Sequence, residues 1–270
     1  MTFQSLLNLP NGARFYKCAL QVNPYHYVQS EQKPTPFENE TDYNRAMVEA
    51  MAAAGIAAIA VTDHQNVKSS ITLSNAAREA GIHAFNGFEL ESKDGIHFLA
   101  LFDASKDINV LDRILGSCGI VDGDRARNNP CDLESHALLS TIRQHEGVAI
   151  APHAIMKKGL LYAGGRSRAA LWRDTNLEAV GIHCPVVDID AKYRDIISNV
   201  DPAYDRPRPV AILHCNDVWS PEQFKLPEST SLIKMSAFSL AALRQAFLDP
   251  ESRVLLSSDV PPEREWNSSV

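Results

Sequence analysis

An α/β barrel is the fold class this sequence predicts, and three observations predict it. Strand-like runs recur eight times, at 14–22, 56–62, 82–91, 96–102, 147–151, 177–183, 209–214 and 231–234. Helical patterns lie between most of them. The chain has 270 residues, 45% of them hydrophobic, enough for a large core in a single domain spanning 1–270. A repeated strand-then-helix order means a mainly parallel sheet with covering helices, closed into a barrel.

The first run leads into CALQVNPYHY, where strict alternation puts Ala19, Gln21 and Asn23 on one face. A helix over 41–54 carries Ala and Met at helical spacing behind an acidic start, and a second over 67–80 ends at Gly81. Between the runs at 82–91 and 96–102 there is room only for a turn. Lys93-Asp94-Gly95 fits a three-residue loop with Gly95 left-handed, which pairs residue 91 with 97 and sets Glu89 and His97 on the same face. A two- or four-residue loop would separate them. Further helices are predicted at 133–146, before Gly147, and at 239–248, before Pro250. The stretches 29–40, 117–132 and 157–168 look less structured, and the last two, rich in Arg or Lys, are candidate substrate loops.

A formal charge of −7 argues against a general basic coat, so any polyanion needs a focused site. Five cysteines, an odd number without a C-x-x-C pair, suit reduced thiols in a cytoplasm. The N-terminus lacks a basic region before its short apolar patch, and the run 51–61 is too short to cross a bilayer. A cytoplasmic protein with no membrane partner is expected.

Five side chains stand at or beside strand ends: His64 in VTDHQN, Glu89 in NGFELE, His97 in GIHFLALF, His153 in AIAPHA and Asp217 in HCNDVW. Singly, each histidine reads as a hydrogen-bonded, half-buried imidazole. Together they form a ligand set, because barrel strand ends converge on one mouth.

The series TDH, G-x-E, G-x-H-x-L, P-H and a small-small-Asp segment, followed by an SLIKM strand and a final helix, resembles the PHP (polymerase and histidinol phosphatase) superfamily from about Phe15 to Leu256. FYKCALQV and SSDVPPERE resemble, more narrowly, the PHP-type N-terminal part of TrlF-like proteins, which continues into a P-loop ATPase. No G-x-x-x-x-G-K-[ST] occurs here; Gly164-Gly165-Arg166-Ser167 lacks its spacing and its Lys. The resemblance implies a distorted (β/α)7 barrel whose mouth holds up to three metal ions and hydrolyses phosphate esters. It also implies that Glu89, His97, His153 and Asp217 are metal ligands and that Glu89, Asp217 and His64 serve catalysis. The first motif, normally H-x-H, has Gln21 and Asn23, and the last, normally D-x-H, ends in Trp219. Glu89, His97 and His153 preserve one ligand set. Glu89 and Asp217 keep part of a second, with Gln21 and Asn23 expected to offer amide oxygens, and His64 alone keeps little of a third. One or two ions of Mn, Mg or Zn are therefore expected rather than three.

After His153, Lys157, Lys158, Arg166 and Arg168, with Arg173 beyond, could clamp phosphate, and Tyr162 or Trp172 could stack on a base. The alternative is a solvated loop, and Arg125 and Arg127 read as surface. His26, His183 and His214 either orient ligands or only pack; Trp219 is expected to fill the space of the missing imidazole. Cys184 and Cys215 have no identifiable partner base. The leading reading is a metal-dependent phosphoesterase, a nuclease module working on nucleic acid or nucleotide with a P-loop ATPase in DNA processing or phage defence. A degenerate scaffold that docks an ATPase, and a small-metabolite phosphatase, are the alternatives.

Overall fold

The computed structural model describes residues 12–121, 129–162 and 166–260. Its strands are β1 (Arg14–Val22), β2 (Ala58–Val61), β3 (His83–Glu91), β4 (His97–Phe102), β5 (Val148–Ala151), β6 (Leu177–Ile182), β7 (Ala211–His214), β8 (Ser231–Met235) and β9 (Val254–Leu256). They form one sheet in the order β7-β6-β5-β4-β3-β2-β1-β8-β9. The edge strands β7 and β9 pack against each other, so the sheet nearly closes into a barrel.

The sheet is more mixed than a repeated strand–helix order implies. β1, β2 and β3 run parallel, as do β5, β6 and β7. β4 is antiparallel to both its neighbours, and β8 is antiparallel to β1 and β9. The β3–β4 hairpin takes the predicted register, with Glu91 opposite His97 and Glu89 opposite Leu99. Gly95, at φ +84°, supplies the left-handed residue that closes it.

The long helices begin where side chains can cap them. Asn39 accepts from Asp42 N ahead of α2 (Glu40–Ala53), which follows a short α1 (Tyr25–Ser30). α3 (Ile71–Glu79) buries Leu73 and Ala77, and α4 (Ile108–Ser117), capped by Asp107, buries Leu111, Ile114 and Leu115. α5 (Ser135–Gln144), α6 (Arg166–Trp172), α7 (Ala191–Ile197), α8 (Leu240–Leu248) and α9 (Pro250–Arg253) complete the set. Helices α1, α4, α6, α7 and α9 and strand β9 go beyond the sequence-based expectation. α4 has a readable Asp107 cap and i, i+3, i+4 apolar spacing, whereas α1, α6, α7, α9 and β9 are too short to repeat a period. No helix among the described residues is long and apolar enough to cross a membrane.

Three apolar clusters organise the interior. Cys18, Leu20, Ala58, Ala60, Phe85, Leu99, Leu101, Ile150, Ala211 and Leu213 fill the lumen, joined by Leu243 and Phe247 of α8. Contacts of α8 with Asp103, Glu178 and Gly147 place it across the end of the lumen away from the site. Outward-facing residues meet the helices: Ala19, Val22, Ile59 and Val61 pack with Tyr43 and Met47, and a larger cluster holds Phe88, Phe98, Leu138 and Trp172.

This partition corrects the expected alternation in β1. Ala19 faces the helices, whereas Gln21 and Asn23 face the mouth. The cause is an irregularity between Ala19 and Val22: Ala19 pairs with Ile59 but Val22 pairs with Val61, one extra residue on β1. Such a bulge flips every later side chain to the other face.

Candidate metal centre

The site lies where the parallel strands end. The chain leaving β2 is stitched to β3 by Glu89 N donating to Asp63 O (2.9 Å) and Gln65 N donating to Glu89 O (2.8 Å), which sets His64 beside Glu89. His97, at the start of β4, shares the face of Glu89 because of the hairpin register. His64, Glu89 and His97 each offer a ligand atom, and these atoms lie within 4.8 Å of one another.

Glu89 is the hub. Its Oε1 lies 2.6 Å from His97 Nδ1 and 3.4 Å from His153 Nε2. His153 follows β5 and its backbone sits at φ +36°, a costly conformation for a residue with a Cβ. Of the other ring nitrogens, His153 Nδ1 is buried without a hydrogen-bond partner, and His97 Nε2 makes no hydrogen bond but stands 3.4 Å from Glu91 Oε2. Buried imidazole nitrogens that make no hydrogen bond, beside carboxylates, are the donor set a divalent cation takes, so these residues fit a metal.

Further contacts fix His64 and its neighbour. The His64 ring stacks on Tyr27 at 5.5 Å and meets His97 edge-on. Buried Asp63 accepts from His64 N (2.8 Å) and Ser69 Oγ (2.6 Å) and pairs with His26 Nδ1 at 2.7 Å. The Asp63 hydrogen bond raises the His26 pKa.

The opposite wall is different chemistry. Gln21 Nε2 donates to Glu89 Oε2 (3.0 Å) and to Asp217 Oδ1 (3.1 Å), and Asn23 Nδ2 donates to Asp217 Oδ1 (3.1 Å) and Thr62 O (3.4 Å). The expected amide oxygens therefore do not face the carboxylates; the NH2 groups do, because a carboxylate only accepts. Backbone bonds Val218 N to Gln21 O and Asn23 N to Val218 O clamp the Asp217 segment onto the end of β1.

Electrostatics separates the two acids. Burial pushes Glu89 up, but the His64 charge and the His153 and His97 hydrogen bonds outweigh it and hold the carboxyl well below its usual range. Burial and the neighbouring Glu89 charge push Asp217 up. For His153, burial is outweighed by the Glu89 hydrogen bond and charge, and its pKa rises.

The basic segment is dispersed. The backbone turn at 156–159 packs beside the site, with His97 N donating to Lys158 O at 3.0 Å. A Cβ on Gly159 would lie 2.2 Å from His153 O, so only glycine lets the turn come this close. Lys158 Nζ pairs with Glu91 Oε2 at 2.7 Å, and Lys157 is exposed. Arg168 lies on α6 and donates to Leu161 O (2.6 Å) and Tyr204 Oη (2.8 Å). Arg166 begins α6, so it and Arg168 stand on a helix rather than in the expected loop. Its side chain, like Arg125 and Arg127, lies outside the described residues.

Trp172 is 1% exposed and cannot stack on a base, whereas Tyr162 is exposed. His214 is buried between Ile182 O and Ser258, and burial lowers the His183 pKa. The Trp219 ring packs beside the Tyr43 and Met47 cluster. Cys215 is buried with its thiol pKa pushed up, which suits no nucleophile. Sequence reasoning missed the donor role of Gln21 and Asn23, and although it named His26 as a group that could orient a ligand, it did not find its partners Asp63 and Ser69.

Residues 41–156 match the family model for the PHP domain. No curated protein matches the chain. Among solved structures, Endonuclease Q in complex with a 27-mer duplex substrate carrying an abasic lesion at its active site aligns with TM-score 0.59 and 12% identity, covering 87% of this chain. This chain spans only 56% of that endonuclease chain. A Bifidobacterium adolescentis protein assigned as a metal-dependent phosphoesterase aligns with TM-score 0.48 and 12% identity, covering 74% of this chain and 86% of its own. An amidohydrolase from Chromobacterium violaceum with bound sulfate and no metal gives 0.46 and 13%, covering 76% and 88%. At these identities the likeness is one of fold. Residues 41–156 thus resemble the PHP domain, and the chain as a whole shares its fold with part of the endonuclease.

Proposed function

We propose that this protein is a metal-dependent phosphoesterase acting on nucleic acid. The observation that carries the reading is the convergence of His64, Glu89 and His97 to within 4.8 Å, with the His153 imidazole 3.4 Å from Glu89. The PHP domain match and the duplex-bound endonuclease of similar fold support the reaction class and the substrate. His64, Glu89, His97 and His153 hold the ion; Mn²⁺, Mg²⁺ and Zn²⁺ are the candidates. A divalent cation there supplies positive charge that polarises a phosphoryl oxygen and acidifies a water.

The chain's own residues do the rest. Glu89 Oε1 holds His97 and His153 in place, and its Oε2 stays tied to Gln21. Asp63 accepts the backbone N–H of His64 and so steadies that ligand. Lys157 and Lys158, on the turn beside His97, bind substrate phosphate with Arg166 and Arg168 of α6, and Tyr162 offers an exposed ring for a base. On the TrlF-like ends, the partner is a P-loop ATPase in cis or in trans, and the setting is cytoplasmic DNA processing or phage defence.

The test is hydrolysis of single- and double-stranded DNA, RNA, mononucleotides and small phosphate esters with each cation, in wild type, Glu89→Gln and His153→Ala. Metal-dependent cleavage of nucleic acid that both variants lose is the expected result. Cleavage unchanged in both overturns the site, and turnover of small esters alone makes the protein a metabolite phosphatase. A scaffold that docks an ATPase without turnover is the second reading, favoured by the amides seated on Glu89 and Asp217. Protein that binds no ion under any loading condition selects it.

A further inference from the structure

We infer that the Gln21 side-chain amide, with Asn23 behind it, takes the place of a cation between Glu89 and Asp217, so that this wall of the mouth is closed to metal. The inference deepens the proposed function by stating where an ion does not bind. It rests on the wall's own geometry.

Gln21 Nε2 has two hydrogens and two carboxylate acceptors, Glu89 Oε2 at 3.0 Å and Asp217 Oδ1 at 3.1 Å. Asn23 Nδ2 likewise divides its two between Asp217 Oδ1 and Thr62 O. Four N–H groups therefore meet four acceptor contacts, three of them to carboxylate. Both amides are 1% exposed, so water does not compete for them. An ion bridging Glu89 Oε2 and Asp217 Oδ1 would have to take the place that Gln21 Nε2 fills between them, and it would face the positive end of both amide dipoles.

Turning the amides over does not relieve the conflict without an ion already present. The oxygens would then face two carboxylates, acceptor against acceptor. The present orientation leaves Asn23 Oδ1 buried and unpartnered, and gives Gln21 Oε1 only the Cys215 thiol at 3.8 Å. Sacrificing these acceptors while satisfying the carboxylates is the behaviour of a donor pair built to hold acids together. Backbone bonds from Val218 to Gln21 and from Asn23 to Val218 fix the spacing.

The test counts ions, using Mn²⁺ as probe and elemental analysis after equilibrium dialysis. Wild type and Asp217→Asn, whose carbonyl oxygen still accepts both amides, are expected to hold the same number. The Gln21→His, Asn23→His double variant is expected to hold one more than wild type. An ion lost in Asp217→Asn, or no gain in the double variant, overturns the inference. A wild type with no ion breaks the proposed function alone, because the gain is read as a difference.

Should the double variant fail to fold, Gln21→Glu carries the test. With chelator it is expected to melt below wild type, three carboxylates now meeting with the Gln21 donor lost and the Asn23 amide still on Asp217, and Mn²⁺ should raise its melting temperature by more than it raises that of wild type. Equal melting with chelator, or an equal Mn²⁺ response, overturns the inference.

Discussion

The two walls of the mouth meet at one side chain and solve the same electrostatic problem in different ways. On one wall Glu89 Oε1 faces the imidazoles of His97 and His153, with His64 nearby; on the other Glu89 Oε2 faces the Gln21 amide, which also holds Asp217. The imidazole wall leaves two buried ring nitrogens without a hydrogen bond, one of them 3.4 Å from Glu91 Oε2, whereas the amide wall uses all four of its N–H groups. A wall with spare donor atoms suits an ion, whereas one whose carboxylates already hold amide N–H groups must give up those bonds to take it. On the proposed function, that difference makes the amide wall structural and the imidazole wall chemical.

The largest effect should come from the residue both walls share. Glu89→Gln removes the carboxylate that holds both His97 and His153, and Mn²⁺ affinity by dialysis should fall about 100-fold or more. It also places an amide opposite the amide of Gln21, so the melting temperature should drop as well; unchanged values in both would break the comparison at its centre.

Gly159→Ala strikes the imidazole wall through its backbone. A Cβ 2.2 Å from His153 O forces the 156–159 turn outward, with a loss of about 1–3 kcal/mol in urea denaturation and weaker Mn²⁺ binding. Asn23→Ala sharpens the comparison from the other side. It deletes one donor to Asp217 and also the orphaned Asn23 oxygen, so the cost should be near 1 kcal/mol, and Mn²⁺ affinity should stay within about twofold of wild type. A large loss of affinity would make the amide wall part of the metal site.

The smallest effect concerns the support behind His64. The Asp63 hydrogen bond raises the folded pKa of His26 above the ordinary histidine value. A raised folded pKa contributes stability that is fully present below about pH 6.5 and is lost as pH rises through the folded pKa. The melting temperatures of wild type and His26→Ala should therefore differ most at low pH and converge as pH increases. A gap that widens with pH would mean that Asp63 holds a neutral imidazole.

Much of this architecture is written locally. The Lys93-Asp94-Gly95 turn is short and odd, so its length alone puts Glu89 and His97 on one face, and the helices capped by Asn39 and Ser239 begin where short polar side chains precede apolar periods. Helix α4 was legible in the same terms through Asp107, although no reading of the chain singled it out. The short helices and β9 carry too few residues to show a period, and their place depends on the surfaces they cover.

The sequence by itself determined the strand-rich α/β class, the hairpin register, and the kinds of ligand available near the strand ends, because each depends on neighbours a few residues apart. Tertiary structure decided which way the first strand aims its amides and which of their atoms faces inward. An extra residue between Ala19 and Val22 turns Gln21 and Asn23 toward the mouth, and carboxylates 68 and 196 residues away from Gln21 select nitrogen over oxygen. A side-chain amide is both donor and acceptor, so only the groups folded against it choose its role.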